Sequence, residues 1–135
     1  MKQQEIPAIE YRHTLPVQLR FNDIDAFGHV NNSVYIQLMD QAKYAYFSDL
    51  MHDNLLGDEE YDLVVVNINV SFMAPTYISD SIEVLTAVTH VGNRSVTLNQ
   101  EIRQQDTGEV KCIATTVMAR ISPNPIPDTW RELFK

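Results

Sequence analysis

Twelve residues, FNDIDAFGHVNN at positions 21–32, concentrate the side chains of this chain best suited to chemistry. Asp23 and Asp25 form a D-x-D pair, and Gly28, His29, Asn31 and Asn32 follow at once. An apolar run without Pro or Gly begins just after them, so the cluster stands at the start of an expected helix. The plainest reading is a loop and a cap. Asp and Asn bond nearby backbone in turns, Asn31 or Asn32 is a good N-cap, and Gly28 admits a positive φ. Taken as a group, the residues point further. A helix start leaves N–H groups unpaired and carries the positive end of the helix dipole. Such a start can stabilise negative charge developing on a carbonyl oxygen. Asp25 lies just ahead of it, where a carboxylate can attack a carbonyl or activate a water. One acid beside an oxyanion-stabilising helix start is enough for acyl hydrolysis.

Other reactive arrangements find little support. Ser33 and Ser48 lack the G-x-S-x-G elbow of a serine nucleophile. His13, His29, His52 and His90 show no metal-ligand spacing with Cys112, so no metal is expected. Phosphate-cradling loops of the G-x-G-x-x-G or G-x-x-x-x-G-K-[ST] kind are absent, and no cofactor is expected. Cys112 is the single cysteine, which excludes an internal disulfide. It lies in the alternating run VKCIATTVMARI and reads as a small strand hydrophobe.

Composition narrows the partners. The formal net charge is −8 and Lys and Arg never cluster beyond pairs, which argues against nucleic acid and against anionic membranes. No apolar run approaches the roughly 20 residues of a membrane span. The N-terminal MKQQEIPAIEYRH has no apolar core after Lys2, unlike a secretory signal. A cytoplasmic protein fits these features.

The elements that must position the cluster follow from hydrophobic spacing. Leu15, Val17, Leu19 and Phe21 alternate, predicting a half-buried strand that ends at Asn22 and Asp23. Over residues 31–51, Tyr35, Leu38, Met39, Ala42, Tyr46 and Leu50 recur at helical spacing. Gln37, Gln41, Tyr44 and Ser48 take the opposite stripe, and the wide apolar arc predicts a mostly covered helix. HDNLLGDEE then reads as a loop. Residues 61–73 alternate, with Val64, Val66, Ile68, Val70 and Phe72 on one side and Asn67, Asn69 and Ser71 on the other. APTYISD, residues 74–80, reads as a turn. Three more strands follow, at residues 81–91, 94–104 and 110–121, the last with Ile113, Val117, Ala119 and Ile121 in alternation. The proline-rich tail SPNPIPDTWRELFK ends in a short helix that Asp128 is placed to cap. A strand, a long helix and four successive strands give an α+β layer pair with an antiparallel sheet. One sheet face belongs to the helix; the other is expected to be partly covered by another subunit or by the tail. At 135 residues the chain reads as a single domain, residues 1–135, large enough to bury its own core.

The segment DIDAFGHVNNSVYIQLMDQAKYAYF resembles the hotdog-fold thioesterases of the 4-hydroxybenzoyl-CoA thioesterase and acyl-CoA thioesterase group. Members share an acid, then Gly-His-Val-Asn-Asn or a variant, then a Tyr and an acid on the helix. The element order matches too, over roughly residues 14–121. The resemblance implies a hotdog fold, an antiparallel sheet wrapped around one long helix. It also implies dimers, or dimers of dimers, with active sites at the interface, and hydrolysis of an acyl-CoA thioester.

By the same resemblance, Asp25 is the nucleophile or general base and Asp23 is structural. The N–H at Asn32 polarises the thioester carbonyl, and Gly28 lets backbone approach the substrate. Asn31, Tyr35 and Asp40 fall among the substrate-contacting positions. For Asp40 a solvent-facing or salt-bridged role competes with one near the acyl group. His29 has two open readings, an ancillary role toward substrate or water and a structural hydrogen bond. Plant acyl-carrier-protein thioesterases are also similar, with D-x-D-x-N-x-H-V-N-N. Asp25 and His29 match that pattern, but its Asn position is Phe27 here. HVGNRSV, residues 90–96, aligns with a turn that supplies basic residues to the nucleotide in relatives, and Arg94 matches it. Acyl carrier protein is an alternative carrier, but that acidic partner would be repelled by a chain of net charge −8. Two further readings stay open. A hotdog hydratase or dehydratase pairs His and acid in a different local pattern. A non-catalytic acyl-binding protein would hold acyl-CoA without releasing thiol.

Overall fold

The structure is a computed structural model that describes residues 8–57 and 61–135. Parts of the expected lead-in (residues 1–7) and of the expected post-helix loop (residues 58–60) lie outside the described residues. The order of elements is β1 (His13–Val17), α1 (Asn32–His52), β2 (Leu63–Phe72), β3 (Ile82–Val91), β4 (Ser95–Gln104), β5 (Val110–Arg120) and α2 (Asp128–Leu133). The five strands form one sheet in the order β1-β3-β4-β5-β2, with every pairing antiparallel.

The first strand is shorter than its alternation predicts. It stops at Val17, and Phe21–Asp23 turn as a single stretch of 3₁₀ helix. The Asp23 carboxylate accepts the Arg20 backbone N–H at 2.8 Å and the Arg20 guanidinium at 3.2 Å. These local bonds compete with a strand ladder, and they leave Phe21 84% exposed instead of turned inward.

The helix forms where expected, capped by the Asn31 side chain, whose Oδ1 accepts the Ser33 N–H at 3.2 Å. Val34, Tyr35, Leu38, Met39, Ala42, Tyr46, Phe47 and Leu50 are buried on the sheet side. Gln37, Gln41 and Tyr44 are exposed, so within one chain only one side of α1 is covered. The apolar contacts divide along the helix. Its N-terminal half packs with Ile82, Val84, Ile102 and Cys112, and its C-terminal half with Val88, Val96, Leu98 and Met118.

Two strands depart from their expected facing, each for a reason of register. On β5 the core face is Cys112, Ala114 and Met118, not the line of Val117, Ala119 and Ile121. Pairing with β4 decides this, because Met118 lies opposite Val96 and Cys112 opposite Ile102, both fully buried. On β2 the register slips between Val65 and Asn67, leaving Val66 as an extra residue. A bulge of this kind reverses the side-chain phase, so Val64 does not share a face with Ile68, Val70 and Phe72. β2 is also a sheet edge, and Val64, Val65, Val66 and Ile68 remain exposed.

The tail lies on the same side as α1, not on the opposite sheet face. Trp130 and Phe134 join the core around Tyr46, Phe47 and Leu50. The indole N–H of Trp130 donates to the Leu56 carbonyl at 3.0 Å. Asp128 is the first residue of α2 and not its cap, a position held by Pro127. The opposite sheet face carries a polar ladder, Thr89 to Asn99 at 2.7 Å and Asn99 to Thr115 at 3.0 Å.

Candidate active site

The residues ahead of α1 fold into a tight hairpin. Ile24 and Val30 bridge its two limbs. Inside it, Asp25 N–H donates to the His29 carbonyl at 2.8 Å and Gly28 N–H to the Asp25 carbonyl at 3.1 Å. Asp25 Oδ1 accepts the backbone N–H groups of Phe27 at 2.9 Å and His29 at 3.2 Å. This is the Asx-turn chemistry that makes Asp a turn residue, and it fixes the carboxylate by one oxygen only. Oδ2 of the half-buried Asp25 has no partner among the described residues. Gly28 closes the hairpin at φ +85°, and a Cβ built there would meet nothing within 4 Å. Within the chain the requirement for glycine is therefore conformational.

Two backbone bonds dock the hairpin onto the rest of the chain. Val30 N–H donates to the Thr76 carbonyl at 2.8 Å, and Asn31 N–H to the Asp23 carbonyl at 2.9 Å. The second bond, together with the bonds of the Asp23 carboxylate to Arg20, ties Asp23 into the frame of the hairpin. The start of α1 can then be accounted for group by group. Asn31 N–H is taken by Asp23, Ser33 N–H by the Asn31 side chain, and Val34 N–H by the Asn31 carbonyl. Asn32 N–H, on the first helical residue, is left without an acceptor among the described residues. One free carboxylate oxygen and one free N–H thus lie at the two ends of a hairpin tied shut between them. That juxtaposition can attack or hydrate a carbonyl while holding the oxygen that becomes negative.

The other predicted residues divide into those near this point and those away from it. His29 is half-buried, and its ring makes an edge contact with Tyr77 at 5.1 Å and no hydrogen bond among the described residues. Tyr35 is buried; its hydroxyl donates to Thr76 Oγ1 at 2.9 Å and its ring lies 5.5 Å from Phe72. Burial raises the Tyr35 pKa above its ordinary value, so the hydroxyl stays neutral. Asp40 is exposed and pairs with Lys43 at 3.0 Å, the salt-bridged alternative for that position. Arg94 lies at the β3–β4 turn, where its Nη2 donates to the carbonyls of Ser122 at 2.8 Å and Arg120 at 3.3 Å. That turn adjoins the C-terminal half of α1, a helix of 21 residues. Asp25 lies at the other end, about 30 Å away along a helix of this length.

Cys112 is fully buried on β5, and burial pushes its thiol up to about 12, so it offers no thiolate at neutral pH. Among the described residues no group of three or more His, Cys, Asp or Glu side chains converges as a metal site. A groove of 570 Å³ runs between β1 and α1, lined by Leu15, Val17, Arg20, Leu38, Gln41 and Tyr44, and neither Asp25 nor His29 lines it.

Sequence reasoning missed Thr76 and Tyr77, which hold Val30, Tyr35 and His29 in place. In the sequence they sit in APTYISD, and nothing local marks that turn as a neighbour of the hairpin 46 residues earlier.

Fold and site define a class. The model of the thioesterase-like superfamily matches residues 19–129, and the chain belongs to that superfamily. The antiparallel sheet with one long helix is the hotdog fold expected from the resemblance. Among particular relatives, the chain is 24% identical to the long-chain acyl-CoA thioesterase FadM of Escherichia coli, covering 70% of this chain and 71% of the relative. A thioesterase from Thermus thermophilus, solved with coenzyme A and Zn, superposes with a TM-score of 0.79 at 26% identity, covering 93% of this chain and 99% of that one. A 1,4-dihydroxy-2-naphthoyl-CoA thioesterase from Synechocystis shares the fold with a TM-score of 0.74 at 20% identity, covering 90% and 94% of the two chains. No helix among the described residues is long and apolar enough to cross a membrane.

Proposed function

We propose that the chain hydrolyses an acyl-CoA thioester to the free acid and coenzyme A, with Asp25 as nucleophile or general base and the Asn32 N–H as oxyanion donor. The observation that carries this reading is a free Asp25 oxygen beside a helix start whose first residue, Asn32, has an N–H without an acceptor among the described residues. As a nucleophile, Asp25 Oδ2 adds to the thioester carbonyl, the C–S bond breaks, thiolate leaves, and water cleaves the resulting anhydride. As a general base, Asp25 takes a proton from the water that adds, and collapse of the intermediate expels the thiol. Either route places the developing oxyanion on Asn32 N–H, at the positive end of the helix dipole.

The site is open on its outer side in one chain, and the exposed apolar edge of β2 is suited to pairing with a second copy. In this reading the active unit is a dimer or a dimer of dimers. Arg94 would meet the nucleotide of a substrate bound at the partner's Asp25, since its own is too distant. Sedimentation of the purified chain tests the assembly; a monomer active at all concentrations would overturn it.

A thiol-release assay across straight-chain and aromatic acyl-CoA substrates tests the reaction. Asp25→Asn is expected to lower kcat by about 10² or more. Wild-type turnover in that variant would sink the assignment. Turnover in ¹⁸O-labelled water, followed by mass measurement of the protein, detects the nucleophilic route when water opens the anhydride at the Asp25 carboxyl carbon, since the general-base route never labels Asp25.

A further inference from the structure

The loop that holds the hairpin is itself held by a buried cation. Lys111 is 5% exposed. It is the extra residue of a bulge between β4 and β5, where Ile102 pairs with Cys112 but Arg103 pairs with Val110. Bulges of this kind re-aim a side chain. Here the Lys111 Nζ donates to the Pro75 carbonyl at 3.1 Å and to Glu109 at 2.6 Å, and lies 3.6 Å from Asp80. The Lys111 carbonyl meanwhile accepts the N–H groups of Met73 at 2.9 Å and Ala74 at 3.2 Å. Asp80 Oδ2 in turn accepts the Tyr77 N–H at 2.9 Å. Both ends of residues 73–80 are therefore fastened to one lysine.

We propose that Lys111 is a positioning residue for the thioester site, acting through Thr76 and Tyr77 on the hairpin that carries Asp25. The inference rests on the reading of Asp25 given above. Three contacts transmit it: the Thr76 carbonyl to Val30 N–H, the Thr76 hydroxyl to Tyr35, and the Tyr77 ring to His29. Together they set the return limb of the hairpin and the first turn of α1. A buried ion pair is a poor device for stability alone, since an apolar side chain of similar volume often serves as well. What the charge adds is direction, because its acceptors lie on one loop and on Glu109, just before β5. Burial works against the ammonium, but Glu109 and Asp80 more than offset it and hold the lysine charged across the neutral range.

The test uses the purified full-length chain. Lys111→Met keeps length and removes the charge; Arg103→Met removes an ion pair on the same sheet, Arg103–Glu83 at 3.1 Å, that does not touch the loop. Lys111→Met is expected to lower kcat about tenfold with KM within about twofold, because a small misplacement of catalytic groups slows the chemical step. It should also speed amide exchange at Val30 and shift the ring resonances of His29. Arg103→Met should move none of these. If Lys111→Met does not fold, Asp80→Asn weakens the same brace from the loop side and should cost about threefold in kcat by the same argument. Wild-type kcat and Val30 exchange in the folded Lys111 variant, or in Asp80→Asn when that is the variant measured, would overturn the proposal. If Asp25→Asn is inactive in the same experiment, only the positioning role has failed. Turnover in Asp25→Asn would mean the site reading has failed, and Val30 exchange would still report whether Lys111 sets the hairpin.

Discussion

At the C-terminal end of α1, Tyr46, Phe47 and Leu50 pack with Trp130 and Phe134 in a cluster of tilted and edge-on rings. Nearby, Arg120 binds Asp62 at 2.9 Å and the Pro125 carbonyl at 2.9 Å, clamping the tail to the start of β2. At the N-terminal end the helix emerges from a hairpin of polar residues, with Phe27 exposed and one carboxylate oxygen and one N–H unpaired among the described residues. The same helix is anchored at one end and chemically unsatisfied at the other. The contrast teaches where each property is stored: buried area fixes the helix, while the groups left without partners are those a substrate can use.

Changes at the two ends should therefore separate stability from activity. The largest effect is expected from Trp130→Ala, which removes a fully buried ring and orphans the Leu56 carbonyl. A loss of about 3–5 kcal/mol is expected in chemical denaturation, with kcat of the remaining folded enzyme unchanged. A large fall in kcat instead would break the separation. Asp25→Asn is the converse, with a fall of about 10² in kcat and little change in melting temperature. Asn31→Ala probes the boundary between the two. Losing the cap on Ser33 N–H should cost about 1 kcal/mol, and a second free N–H beside Asn32 should disturb activity more than any surface change of equal stability cost. Acid gives the smallest and most local effect. The Ser122 backbone N–H, and after it the Arg120 guanidinium, outweigh burial and hold the Asp62 carboxyl below its ordinary 3.8. A depressed carboxylate contributes stability above its unfolded pKa and loses it as pH falls through the folded value. The stability difference between wild type and Asp62→Asn should then be full at neutral pH and shrink below about pH 4. A difference independent of pH would mean the clamp acts by shape alone.

Much of the candidate site was legible because the groups that form it are local. Asp25, Gly28, His29, Asn31 and Asn32 lie within eight consecutive positions, and turn and cap rules apply at that range. The helix was legible for the same reason, as the spacing from Tyr35 to Leu50 is repeated over about four turns. What was not legible depended on partners distant in sequence. The core face of β5 could not be chosen from VKCIATTVMARI, since both of its alternating lines contain apolar residues, and only pairing with Val96 and Ile102 selects Cys112 and Met118. The phase of β2 was lost at the Val66 bulge, which leaves no mark in a run of valines.

Local pattern by itself determined the α+β order, the capped helix and the cluster of groups ahead of it, because turn, cap and periodicity preferences act over a few residues. Tertiary structure decided which of those groups are left free. Oδ2 of Asp25 and the N–H of Asn32 stand unpaired among the described residues because Asp23, Asn31 and Thr76 satisfy their neighbours. Thr76 arrives there only through a loop fastened to Lys111, on a strand more than 80 residues after the hairpin begins. Hydrogen-bond satisfaction is settled over the whole chain, and so is the choice of which donor and acceptor remain for a substrate.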